Sequence, residues 1–169
     1  MAENEQGEIV SFGRMFRPES DWMPMSVSKD GGATFEHTFT ELPSIRSGQR
    51  PVLLPLREGP LLLCSFARSM EFVDSNGDTY EGAGLFAALS HDGGYTWSTR
   101  KLVTVDQGEL TMEGGAWTGA FTMSRTQAEP KGYLTATQGE DGTIHLISSG
   151  IHYRFNLAWV ETPPSAETQ

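Results

Sequence analysis

Apolar positions fall in short runs, partly alternating with polar ones: Ile9 to Phe12, Met23 to Val27, Val52 to Leu56, Leu61 to Phe66, Leu85 to Leu89, Leu102 to Val105, Ala116 to Met123, Leu134 to Thr137, Ile144 to Ile147 and Phe155 to Val160. Each has strand length and is bounded by Gly, Pro, Asp or Asn. Nineteen glycines and nine prolines interrupt the chain so often that few windows of a dozen residues are left for helices. The pattern predicts an all-β domain over residues 1–160. Beyond Val160 no large apolar residue follows, and Glu161 to Gln169, with Pro163-Pro164, reads as a disordered tail.

Two eight-residue stretches repeat. Ser28-Lys29-Asp30-Gly31-Gly32-Ala33-Thr34-Phe35 and Ser90-His91-Asp92-Gly93-Gly94-Tyr95-Thr96-Trp97 share the pattern Ser-x-Asp-x-Gly-x-Thr-aromatic, each between two apolar strands. Asp and Ser side chains can accept the turn's own N–H groups, Gly supplies positive φ, and the terminal aromatic packs beneath. A second repeated element is a turn leading into a strand: Gln6-Gly7-Glu8, Glu58-Gly59-Pro60 and Asp141-Gly142-Thr143. The repeating unit is therefore turn, strand, strand, Ser-x-Asp turn, strand.

These motifs resemble the Asp-box, or BNR, repeat of sialidase-like β-propellers. The resemblance implies four-stranded antiparallel blades, with Ser28, Asp30, Gly32, Thr34, Phe35, Ser90, Asp92, Gly94, Thr96 and Trp97 in structural turns away from the ligand face. At roughly 40 to 50 residues per blade, 169 residues hold only a partial, about three-blade propeller. The expectation is the C-terminal half of a six-bladed ring that starts at the turn between the first and second strands of a blade. An open half-ring exposes sheet edges and apolar faces, so a homo-oligomer that completes the ring is expected.

Composition narrows the partners. Twelve Lys plus Arg against 22 Asp plus Glu give a formal net charge of −10, which argues against a nucleic-acid surface. No apolar run is long enough for a membrane span, and Met1 to Gly7 lacks the features of a secretory signal. Cys64 is the sole cysteine, expected buried and inert inside Leu61 to Phe66. His37, His91, His145 and His152 show no metal-ligand spacing in sequence, so no metal and no cofactor is assigned. Asp74 to Glu81 is oxygen-rich but lacks the glycine position and flanking helices of an EF-hand, and reads as a polar hairpin.

A sialidase binds a sugar carboxylate with arginines and attacks with a tyrosine activated by a glutamate, beside a carboxylic acid. By resemblance, Arg14 is the arginine ending a blade's second strand, with Arg17 a less aligned substitute, and Tyr133 opens the first strand of the last blade as nucleophile. Arg50, at the entry to an inner strand, and Arg68, at a strand end like Arg14, are candidate ligands for an acidic or polyhydroxyl group. Trp117 can stack on a sugar from its glycine-rich loop, and Glu113 beside it is the best spare carboxylate. Trp22, Trp97, Trp117 and Trp159 are otherwise inter-blade core, and Arg154 a surface residue. The sequence departs from the family pattern at Glu81-Gly82-Ala83-Gly84-Leu85, where an arginine is expected. The activating Glu, the acid/base Asp and one arginine are not found. Two functional readings follow: a glycan-active, sialidase-like hydrolase incomplete as the isolated chain, and a non-catalytic carbohydrate-binding or structural propeller. A partial gene product without a role of its own is a third. The carbohydrate ligand expected is sialic acid or another acidic glycan.

Overall fold

The computed structural model describes residues 1–14, 21–45 and 49–166. The chain is all-β. Its first sheet is a meander of β1 (Ala2–Glu3), β2 (Ile9–Phe12), β3 (Trp22–Ser28) and β4 (Glu36–Pro43), and its second a meander of β5 (Val52–Pro55), β6 (Leu61–Val73), β7 (Thr79–Ser90) and β8 (Thr99–Leu102). A hairpin of β9 (Leu110–Glu113) and β10 (Ala120–Met123) carries the short helix α1 (Gly115–Thr118) at its tip. The third sheet is β11 (Leu134–Gln138), β12 (Ile144–Ser148) and β13 (Ile151–Phe155), followed by α2 (Leu157–Glu161). All pairings within the sheets are antiparallel, and among the described residues the sheets do not close into a barrel.

The three larger sheets share one core. The middle sheet is covered on both faces, which is why Leu61 to Ala67 is buried without alternation. Met23, Met25 and Val27 of β3 and Ile144 and Leu146 of β12 belong to the same core. The first strands lie side by side: β1 packs on β5, and β5 on β11. Main-chain bonds join the last pair, from Arg50 N–H to the Gly132 carbonyl (3.1 Å) and from Leu134 N–H to the Arg50 carbonyl (3.3 Å), in a parallel bridge between Arg50 and Tyr133.

Both Ser-x-Asp turns satisfy themselves as their sequence requires. Asp92 accepts the N–H groups of Tyr95 and Thr96 at 3.0 and 2.9 Å, the Thr96 hydroxyl at 2.6 Å and the Ser90 hydroxyl at 2.7 Å. Asp30 accepts the Thr34 N–H, the Thr34 hydroxyl and the Ser28 hydroxyl in the same way. Gly94, at φ 105°, holds a backbone shape that side chains rarely take. Beneath it Trp97 is fully buried, donates its indole N–H to the Gly94 carbonyl and meets Phe12 of the first sheet edge-on at 5.6 Å. Phe35, its counterpart, is only half-buried.

Several expectations differ from the structure. The chain opens on a short strand, β1, rather than on the turn after it. Phe155 to Val160 splits into the end of β13 and the helix α2, because Asn156 caps that helix by accepting the Trp159 N–H. Ala116 to Met123 likewise divides between α1 and β10. Strands β4 and β9 lie outside the apolar runs because most of their side chains are exposed. The segment after α2 is tied down over Thr162 to Ala166: Lys101 Nζ donates to the Trp159 and Thr162 carbonyls, Pro164 is buried with its carbonyl accepting Ser75 N–H, and Ala166 N–H donates to Ser75 Oγ. Residues 167–169 lie outside the described part. Of the tryptophans read as core, Trp22 and Trp117 are exposed. Cys64 is buried in β6, and burial pushes its thiol far above the ordinary range.

Asp30 is held down to about 2 by its Thr34 and Ser28 hydrogen bonds, and Asp92 is lowered by the equivalent bonds despite opposing burial. What these carboxylates contribute is complete above the ordinary Asp value of about 3.9 and is lost as the pH falls through the depressed folded values. Asp92→Ala is expected to cost about 1–2 kcal/mol in urea unfolding. Asp30→Ala should cost less, because its turn seats a less buried aromatic.

Candidate functional site

The turns fix which residues share an end of the molecule. Asn4, in the β1–β2 turn, donates to the Gly93 carbonyl, and Tyr95 of the same Ser-x-Asp turn donates to Glu8. In the β5–β6 turn, Arg57 N–H donates to the Gln138 side chain, which donates in turn to Glu58. The β1–β2 turn and the second Ser-x-Asp turn thus share one end, as do the β5–β6 turn and the end of β11. Because every sheet is a meander, the start of β5, the start of β11 and the end of β2 lie at the other.

At that other end Arg50, Tyr133 and Trp117 come together. The Arg50 guanidinium carbon lies 4.7 Å from the centre of the Tyr133 ring, and the Trp117 and Tyr133 ring centres are 6.4 Å apart at 36°. Lys131 Nζ lies 5.3 Å over the Trp117 ring. Trp117 and Tyr133 keep 54% and 45% of their surface exposed, beside the two cations. Such a set stacks the apolar face of a sugar ring and pairs an anionic group with the forked N–H donors of arginine.

The cluster rests on a buried carboxylate that the sequence did not single out. Glu129 is 0% exposed and accepts the Ser148 hydroxyl at 2.8 Å and the Tyr153 hydroxyl at 2.9 Å, with the Thr118 hydroxyl at 3.5 Å. Thr118 adjoins Trp117 in α1, and its one hydroxyl proton is shared between Glu129 and the nearer Lys131 carbonyl at 2.9 Å. Ser149, next to Ser148, accepts the Tyr133 N–H at 3.3 Å. Glu129 therefore ties the loop of Trp117 to β12 and β13, and Ser149, beside its partner Ser148, holds the start of β11. Gly132 is needed for close approach here, since an added Cβ would meet Ser148 Oγ at 2.0 Å. Burial raises the Glu129 carboxyl against the pull of its three hydroxyl donors, and burial followed by Glu129 raises Tyr153, which stays protonated and donating at neutral pH.

The other sequence candidates do not join the cluster. Arg14 is exposed, with its carbonyl accepting Ile45 N–H, and Arg68 is exposed at the irregularity of β6 between Ala67 and Met70. Val52 pairs with Cys64, so Arg68 falls at the same end as Arg50. Glu113 is exposed at the end of β9 opposite Ala120, close in sequence to Trp117. Arg17 lies outside the described residues. Asp74 is spent on its own turn, accepting from Asn76 and Asp78, and on Arg125 at 3.0 Å. Among the described residues no carboxylate hydrogen-bonds the Tyr133 hydroxyl. No protein-family model matches the chain, and no curated protein sequence matches it.

Glu129→Ala should destabilise the chain by about 2–4 kcal/mol in chemical denaturation, because it strands buried hydroxyls. Glu129→Gln should cost less and show a signed pH dependence. A carboxyl raised in the folded state loses stability as the pH rises from the ordinary Glu value of about 4.3 through the folded value. Relative to wild type, the Gln variant should therefore gain stability as the pH rises through that window.

Proposed function

We propose that this chain is a sialidase-like glycan-recognition half-propeller that binds an acidic sugar at the Arg50–Tyr133–Trp117 cluster and does not hydrolyse it unaided. The observation that carries the reading is the stacking of Arg50 on Tyr133 beside Trp117, at the end opposite the Ser-x-Asp turns. Supporting it are two eight-residue turns closed as that motif requires and three sheets whose first strands lie side by side. The expected ligand is an N-acetylneuraminic acid-type sugar, its carboxylate on Arg50 and its ring on the aromatic pair. Tyr133 lacks a hydrogen-bonded base among the described residues, and a tyrosine without one is a poor nucleophile at neutral pH. The buried Glu129–Tyr153 pair positions the site and is not a nucleophile.

Large apolar side chains are partly exposed on the first and third sheets: Trp22 and Phe39 on one, Ile147 on the other. A second copy of the chain covers them in this reading and completes a six-sheet ring.

Titration with N-acetylneuraminic acid by NMR, together with a fluorogenic sialoside assay and sedimentation of the same sample, tests the proposal. The expected result is a dimer that binds the sugar, shows no turnover, and binds at least about tenfold more weakly as Arg50→Ala, the loss of a charge-assisted bond. Turnover abolished by Tyr133→Phe would make the chain a hydrolase, and binding unaffected by Arg50→Ala would remove the site.

A further inference from the structure

Among the described residues the first and second sheets each have four strands and the third has three. The position without a strand is the one beyond β13. Where β3 and β7 run through a Ser-x-Asp turn into a fourth strand, β13 runs into α2, capped by Asn156, and α2 packs on β8 instead. Ser148 stands opposite Ile151 across the turn Ser149-Gly150, so the two form a hydrogen-bonded pair, as do Leu146 with Tyr153 and Ile144 with Phe155. The N–H and C=O groups of His152 and Arg154 therefore point away from β12. Among the described residues none of them has a hydrogen-bond partner. A cavity of about 310 Å³ lies along this edge, lined by the consecutive residues Ile151 to Phe155 and by Leu110, Met112, Met123 and Trp159. Neighbouring residues of a strand point to opposite faces, so a cavity that touches all of them reaches the edge itself.

We propose that the open edge of β13 receives an extended segment of a partner protein as a fourth, antiparallel strand. An edge with unpaired backbone groups is a template for such addition. Backbone bonds to His152 and Arg154 supply the pairing, and the alternating side chains of the segment supply selectivity. Those beside Ile151, Tyr153 and Phe155 meet the apolar lining and are themselves apolar. The one beside Arg154 is acidic: Arg154 is exposed and, among the described residues, makes no hydrogen bond or ion pair, whereas the His152 ring is already bonded to His145 at 3.0 Å. No Asp or Glu lines the cavity, although the chain carries a net charge of −10, so an acidic segment meets no like charge in its walls. The β13 edge of a second copy is the wrong occupant. Antiparallel pairing about Tyr153 would set Arg154 of each copy against His152 of the other, one basic side chain facing another. Nor does the copy that completes the ring fill the place, because stacking on a sheet face does not pair backbone groups that lie in the plane of the sheet.

The probe is the peptide acetyl-Glu-Val-Glu-Val-Thr-Val-Glu-amide, whose second Glu falls beside Arg154 and whose Thr falls beside His152 in the antiparallel register. It is titrated into the isotope-labelled chain and followed by NMR and amide hydrogen exchange. The His152 and Arg154 amides should exchange freely in the chain alone and at least about tenfold more slowly with the peptide bound. Arg154→Glu should weaken binding by about fivefold, an opposite-charge pair becoming a like-charge one. A peptide N-methylated at its second Glu and its Thr keeps the side chains but loses the pairing N–H groups, and should not bind. Arg50→Ala should leave peptide binding unchanged, so this result and the sugar result stand or fall separately. Equal binding of the N-methylated peptide, or binding that leaves both amides unprotected, would overturn the proposal. So would protection of both amides in the free chain that deepens with protein concentration, which would assign the edge to a second copy.

Discussion

The two main-chain bonds that join Arg50 to the start of β11 are the constraint on which the site depends. A strand that enters a core must pair its backbone groups or leave them costly and unsatisfied. Here the lead-in to the second sheet pairs with the lead-in to the third, and the pairing brings an arginine and a tyrosine from 83 positions along the chain into ring contact. The residues reach one place because the chain needs those hydrogen bonds. Their chemistry follows from that placement.

Around this bridge the structure divides its labour between two kinds of polar group. At one end, Asp30 and Asp92 close exposed turns with bonds to their own neighbours, and their acidity is increased. At the other, Glu129 is buried among hydroxyls contributed by α1, β12 and β13, and its acidity is reduced. The first kind folds locally. The second exists only once three segments have docked, so it couples the geometry of Trp117 and Tyr133 to completion of the tertiary fold.

What could be read from the sequence follows the same division. The Ser-x-Asp turns were legible because every donor and acceptor lies within eight residues, and the apolar runs revealed the buried strands. Arg50, Tyr133 and Trp117 were each recognisable by residue type and by position at a strand entry or in a glycine-rich loop, though not as a group. Glu129 was hidden in Gln127-Ala128-Glu129-Pro130-Lys131, which reads as a solvated loop, because its burial depends on hydroxyls 11 to 24 residues away. The helix α2 did carry a signal, the Asn156 cap, which the apolar run Phe155 to Val160 masked. The hydrogen bond between His145 and His152, 3.0 Å across the β12–β13 hairpin, needed the register, which spacing alone did not supply.

Native-state hydrogen exchange at single-residue resolution addresses the bridge itself. The amides of Arg50 and Leu134 should exchange as slowly as those of the central β6 strand, opening only with the whole domain. If both exchanged at the rate of exposed loop amides, the second and third sheets would not be joined there, and the arrangement of Arg50 against Tyr133 would lose its foundation.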